Sequence, residues 1–231
     1  MIKHYEEIGE IDIRPNPKAK SIVVRYRDGI FRLTYPIGLR QKDIDLAILR
    51  LRKRLIAMKE NAPKSHQFMP SNDFQTFSFT TRIIEKEKTQ FSLIFKEGIL
   101  YIVCPSGSDY TDQNLQERIK NAITLVMRNE AKRLFPDWIR NLAKKNGFEV
   151  TSVKINNSQS RWGSCSSQKN INLSLYCMLL PQHLIELVML HELCHTVEMN
   201  HSERFWSLLD KVTNGRSKEL TAELKKFKTN F

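Results

Sequence analysis

Two kinds of hydrophobic pattern follow one another along the chain, and the succession occurs twice. Residues 28–38 read DGIFRLTYPIG and residues 97–107 read EGILYIVCPSG: an acidic residue and glycine, an apolar strand-like run, then Pro-x-Gly. Asp28-Gly29 and Glu97-Gly98 each lie between β-prone runs, which predicts hairpin turns. After the first run, Ile44, Ala47, Ile48, Leu51, Leu55 and Met58 fall at helical spacing; after the second, Leu115, Ile119, Ala122, Ile123 and Val126 do. The pattern predicts two related hairpin-plus-helix units, with another strand near Phe74–Ile84. Asn61–Pro70 (NAPKSHQFMP) has the composition of a linker. The second helix is expected to break or kink at Pro136. Its segment should stop at Lys144-Lys145-Asn146-Gly147-Phe148, where basic residues, a glycine and an apolar residue make a C-terminal cap.

The chemistry is concentrated in the second half. A strand over Glu149–Ile155 leads into QSRWGSCSSQKNINLSLYCMLLP, and a helix is predicted from about Pro181. Its Leu184, Ile185, Leu187, Val188, Met189 and Leu190 are apolar nearly all round, so the helix belongs in the interior. HELCH, residues 191–195, ends that helix. At about 100° per residue, His191 and His195 lie ~40° apart and one turn along, so both imidazoles reach one metal ion. Glu192 projects on a neighbouring line, placed to hold a water on that metal without ligating it.

A third histidine, His201, follows six positions after His195 and would point ~240° away on a continuous helix. The helix must therefore end first. Asn200 tolerates a left-handed conformation and is expected to terminate it; Ser202 is expected to cap a new helix with Phe205, Trp206, Leu208 and Leu209 on its apolar face. His201 then sits at the corner, free to turn back to the metal. Glu198, Glu203, Glu219 and Cys165 are other candidates for the third ligand, whereas Cys194 reads as a small buried hydrophobe. The expected ion is zinc, with one coordination position left for water.

Composition narrows the setting. With 41% hydrophobic and 27% charged residues, the 231-residue chain reads as globular and large enough for a core. No stretch approaches ~20 uninterrupted apolar residues, so no membrane helix is expected, and MIKHYEEIGEIDIRPNP lacks the apolar region of a signal peptide. Cys104, Cys165, Cys177 and Cys194 contain no CxxC pair, which fits reduced thiols and a cytoplasmic protein. The net charge of +12, with Arg50, Arg52, Lys53 and Arg54 tightly clustered, suggests nucleic acid or a protein bound to it as a partner; a lysine-rich solvated surface accounts for it equally.

Arg161-Trp162-Gly163-Ser164-Cys165, Ile171-Asn172-Leu173, Pro181, HELCH, Asn200-His201-Ser202 and Phe205-Trp206 together resemble the YgjP-like metallopeptidase family, related to the SprT and WLM zincins. The resemblance is specific over about residues 120–210 and looser over the first half, where the family also has a strand-rich region. It implies a metal site at His191, His195 and His201 with Glu192 as general base. Ser174 departs from the pattern, which usually has asparagine there.

The expectation is an α+β protein: a strand-rich region over residues 1–110, then a zincin-like helical domain with a small sheet over residues 111–231. The expected activity is zinc-dependent hydrolysis of protein or peptide substrates, with Arg161 a candidate for the oxyanion or for an ordering salt bridge. Residues 170–175, if an edge strand beside the cleft, would pair with an extended peptide. Two rivals stand beside this: a metal-dependent ribonuclease with an H-x3-H-x5-H pattern, which needs no glutamate after the first histidine, and a binding module whose zinc only holds the fold.

Overall fold

The computed structural model describes residues 1–27, 30–60, 66–87, 90–229 and 231. It divides into two compact units, Met1–Ser65 and His66–Phe231. The architecture is α+β.

The first unit contains β1 (Ile2–Tyr5), β2 (Gly9–Pro15), β3 (Val23–Arg27), β4 (Ile30–Tyr35) and α1 (Gln41–Glu60), with the sheet in the order β1-β2-β4-β3. β2 and β4 run parallel, and the outer pairs are antiparallel. Alternation places Ile11, Ile13, Phe31 and Leu33 on one face, where Ile44, Ile48 and Leu55 of α1 cover them. Asp28-Gly29, expected to turn the hairpin, lies outside the described residues.

The second unit starts with the same device. β5 (Phe74–Gln75), β6 (Thr80–Lys86), β7 (Ser92–Lys96) and β8 (Ile99–Pro105) form a sheet ordered β5-β6-β8-β7, again with a parallel central pair, followed by α2 (Gln113–Asn146). Leu100 and Ile102 occupy the buried positions that Phe31 and Leu33 hold in the first unit. The β7–β8 turn at Glu97-Gly98 has both residues in the left-handed region (φ 52° and 74°), the geometry an acid-Gly hairpin turn requires. The strand expected over Phe74–Ile84 is two strands, β5 and β6, separated by a turn in which Thr76 Oγ1 donates to the Phe79 carbonyl.

α2 does not break at Pro136 but runs through it for 34 residues. Phe135 and Ile139 are fully buried on either side. Burying two such side chains gains about 3–6 kcal/mol, enough to offset the ~3 kcal/mol an interior proline costs. The helix ends as expected at Gly147 (φ 73°), whose N–H bonds the Ala143 carbonyl.

A third sheet, ordered β10-β11-β9, is made of β9 (Ser152–Asn156), β10 (Gly163–Cys165) and β11 (Asn170–Ser174). A 3-10 turn (Leu175–Leu179), α3 (Gln182–Cys194), α4 (Glu203–Val212) and α5 (Ser217–Leu224) complete the unit. α2 packs against β8 and also against β9, the 3-10 turn and α3. The second hairpin-helix device therefore shares one core with the HELCH helix, and the compact units divide at 65/66, inside the expected linker, rather than at 110/111. The strand at 170–174 is central, not an edge: β9 and β10 use both its sides. The edge beside α3 is β10, the GSC of RWGSC. Ser174 caps the 3-10 turn through its hydroxyl, which accepts from Tyr176 N–H and donates to the Ser158 carbonyl at 2.6 Å. No helix among the described residues is long and apolar enough to cross a membrane.

Candidate metal centre

α3 is buried as its composition demands, with Leu184, Ile185, Met189 and Leu193 fully covered. It stops at Cys194, earlier than Asn200, and no left-handed residue ends it: Asn200 is not among the positive-φ positions. Tight backbone bonds from Thr196 N to Leu193 O and from Val197 N to Cys194 O close the turn instead. Ser202 opens α4 as expected, its hydroxyl accepting from Phe205 N–H.

This route brings three histidines together. His191 Nε2 lies 3.2 Å from His195 Nε2 and 3.1 Å from His201 Nε2, and the donor atoms of all three fall within 4.8 Å of one another. Metal–nitrogen bonds of ~2.0–2.1 Å in a tetrahedral site separate nitrogens by about 3.3 Å, close to what these rings already show. His195 Nδ1–H donates to the Glu198 carbonyl at 3.0 Å, which leaves Nε2 as the lone-pair nitrogen. Burial and the neighbouring imidazoles push His191 down to about 4, and burial lowers His195 as well; both are neutral at physiological pH, the form that ligates. The donor set fits a first-row divalent ion. Cys165, Glu198, Glu203 and Glu219 are not part of this group of donors. Phe205, fully buried, forms the floor, with its ring centroid 4.9, 4.5 and 4.8 Å from those of His191, His195 and His201.

Glu192 stands beside the cluster, 5% exposed, with Oε2 buried and unpartnered among the described residues. Burial raises its carboxyl to about 8, and the charge of Arg161 opposes that rise. The other face of Glu192 lies against Gly163 on β10. A Cβ at Gly163 would sit 2.6 Å from Oε1 and 2.7 Å from Cγ of Glu192, so any larger residue requires Glu192 or β10 to move. Arg161 is exposed and makes no salt bridge among the described residues, so the ordering ion pair weighed for it is absent. Cys104, Cys165, Cys177 and Cys194 are all free thiols.

Two contributors are not visible from sequence. Phe205 has the pattern of an ordinary apolar helix position, since its contact with the imidazoles depends on where α4 crosses α3. Gly163 did carry a signal, a glycine inside a strand-like segment, but nothing local says which side chain needs the space.

Residues 19–227 match the family model of the YgjP-like metallopeptidase domain. The chain belongs to this family. A solved structure, the metallopeptidase zymogen of Pyrococcus abyssi abylysin, resembles the YgjP-like chain with a TM-score of 0.35 and 23% identity, covering 39% of this chain and 92% of that one. No curated protein matches the chain. As a member of a metallopeptidase family, the protein is a peptidase whose substrates are proteins or peptides, and its three-histidine cluster suits the metal such a family uses.

Proposed function

We propose that this YgjP-like chain hydrolyses peptide bonds with a zinc ion held by His191, His195 and His201, and with Glu192 as general base. The observation that carries the reading is the convergence of three Nε2 atoms beside a buried carboxylate with an unpartnered oxygen. When bound, the metal supplies Lewis acidity toward a water and toward the scissile carbonyl. Glu192 Oε2 would take a proton from the attacking water as its oxygen bonds to the carbonyl carbon, and would hand that proton to the amine nitrogen as the carbon–nitrogen bond breaks. Beside a dication the carboxyl shifts back toward its ionised form, as a base requires. The edge of β10 offers backbone groups along which an extended substrate can pair, with Glu192 packed directly against the strand.

A ribonuclease needs no carboxylate after the first histidine, and the space cleared at Gly163 for Glu192 favours the peptidase. Free thiols throughout support a cytoplasmic location. Exposed Arg50, Lys53 and Arg54 on α1 support proteins bound to nucleic acid as substrates, a reading that requires DNA affinity falling steeply with salt. The main test is Glu192→Gln. It should abolish cleavage of a peptide library while metal analysis still finds about one zinc per chain; cleavage at the wild-type rate would refute the assigned base.

A further inference from the structure

Beyond the three histidines, a cavity of about 330 Å³ opens between residues 159–162 and residues 227–229. That is the lower end of the ~300–1,000 Å³ seen for ligand sites, room for one side chain or a chain terminus rather than a whole peptide. Both walls are fixed. Thr229 Oγ1 donates to the Gln159 carbonyl at 2.6 Å, and Gln159 Nε2 donates to Tyr176 Oη at 3.1 Å. The Trp162 carbonyl accepts from Ser174 N–H at 2.7 Å, Phe227 packs against the main core, and Phe231 stacks on Phe74 at 5.1 Å. These bonds hold the backbone of the lining at Gln159 and Trp162 and the Thr229 side chain in place, with the Arg161 and Lys228 side chains exposed at its mouth.

Its charge is one-sided. Arg161 and Lys228 are the charged residues of the lining, both exposed, and neither forms an ion pair among the described residues. Two cations without an ion-pair partner among the described residues, in a concave site flanked by Trp162 and Phe227, favour an anionic group with an apolar stem. The cavity also adjoins the candidate centre. Arg161 is close enough for its charge to act on Glu192, and Gly163, two residues on, touches Glu192. At about 3.3 Å per strand residue, residues 161 and 162 lie roughly 3–7 Å along the chain from that contact.

We propose that this cavity is a substrate subsite for a carboxylate within about three residues of the scissile bond, supplied by an Asp or Glu side chain or by the substrate's free C-terminus; the inference rests on the peptidase reading. Full-length Glu192→Gln protein, loaded with zinc, binds without turnover and serves as the test protein. Fluorescent peptides identical except for Glu, Gln or Lys at one position, each with a free or an amidated C-terminus, are titrated against it. Glu peptides, free-terminus peptides or both should bind roughly tenfold or more tighter than their neutral counterparts, and the contrast between the two arms identifies the source of the carboxylate. Adding Lys228→Glu, a change at an exposed position, leaves Arg161 facing a carboxylate and the lining without net charge, and should abolish the preference for the carboxylate-bearing peptides. Equal affinities across the series, no binding at all, or an order that survives Lys228→Glu would overturn the proposal. Charge-selective binding of peptides that wild-type protein fails to cleave would instead count against the peptidase reading, and would overturn the subsite's place beside a scissile bond while leaving the cavity a carboxylate-binding site.

Discussion

Replacing Gly163 by alanine adds one methyl group where the structure leaves no room. The new Cβ would lie 2.6 Å from Glu192 Oε1, and restoring an ordinary contact of 3.4 Å demands about 0.8 Å of movement. Two responses are available. β10 moves away from α3, which costs about 1–3 kcal/mol as overpacking does. Alternatively, the Glu192 side chain swings off its present line, and a displacement approaching 1 Å at a reacting group lowers the rate by roughly 100-fold. Glu192 is a side chain with rotatable bonds, whereas β10 is tied to β11 along its whole length, so the carboxylate should yield first. The expected result is kcat reduced by roughly 100-fold with KM within about a factor of three, full zinc content and a melting temperature lowered by only a few degrees. Peptide-cleavage kinetics, metal analysis and thermal denaturation on one preparation read all three. A well-folded Gly163→Ala protein with wild-type kcat would show that Glu192 does no chemistry from this position. A rise in KM at unchanged kcat would point to β10 as a binding strand alone.

Two further outcomes follow from packing and charge. Phe205→Leu keeps an apolar side chain in α4 but removes the ring beneath the imidazoles; chelator competition should find zinc held about 10-fold more weakly, with helix content unchanged by circular dichroism, and unaltered affinity would mean the floor does not orient the ligands. The Arg133 guanidinium, then the Ser78 hydroxyl, hold the buried Glu130 carboxyl below its ordinary range, so its contribution is present above the unfolded value and is lost as pH falls through the folded one. Glu130→Gln should therefore cost about 1 kcal/mol at pH 7, a figure discounted for the exposed arginine, with the gap to wild type closing below roughly pH 4 in thermal denaturation; a pH-independent difference would refute the ion-pair account.

Much of this molecule was legible in its sequence because the signals were local. The period-two runs, the Glu97-Gly98 turn, apolar positions at helical spacing, Gly147 after two lysines, and Ser202 three residues before Phe205 each act within a few residues, and each forms the expected element. The doubled strand-and-helix device was visible for the same reason, since two stretches of one pattern face the same backbone constraints. The meeting of His191 with His195 needed only the pitch of a helix.

What failed, or could not be read, depended on contacts far apart in the chain. Pro136 stays helical because Phe135 and Ile139 are buried by other elements. The boundary falls at 65/66 because α2 serves the second sheet and α3 together. Strand 170–174 is central because β9 and β10 happen to flank it, a pairing no window of sequence contains. The sequence alone determined which side chains are available for a metal and a base. Only the tertiary structure decided that β10 meets Glu192 at a glycine, that Phe205 lies under three imidazoles, and that Arg161 and Lys228, without an ion pair among the described residues, line one cavity, because burial and charge are properties of neighbours in space.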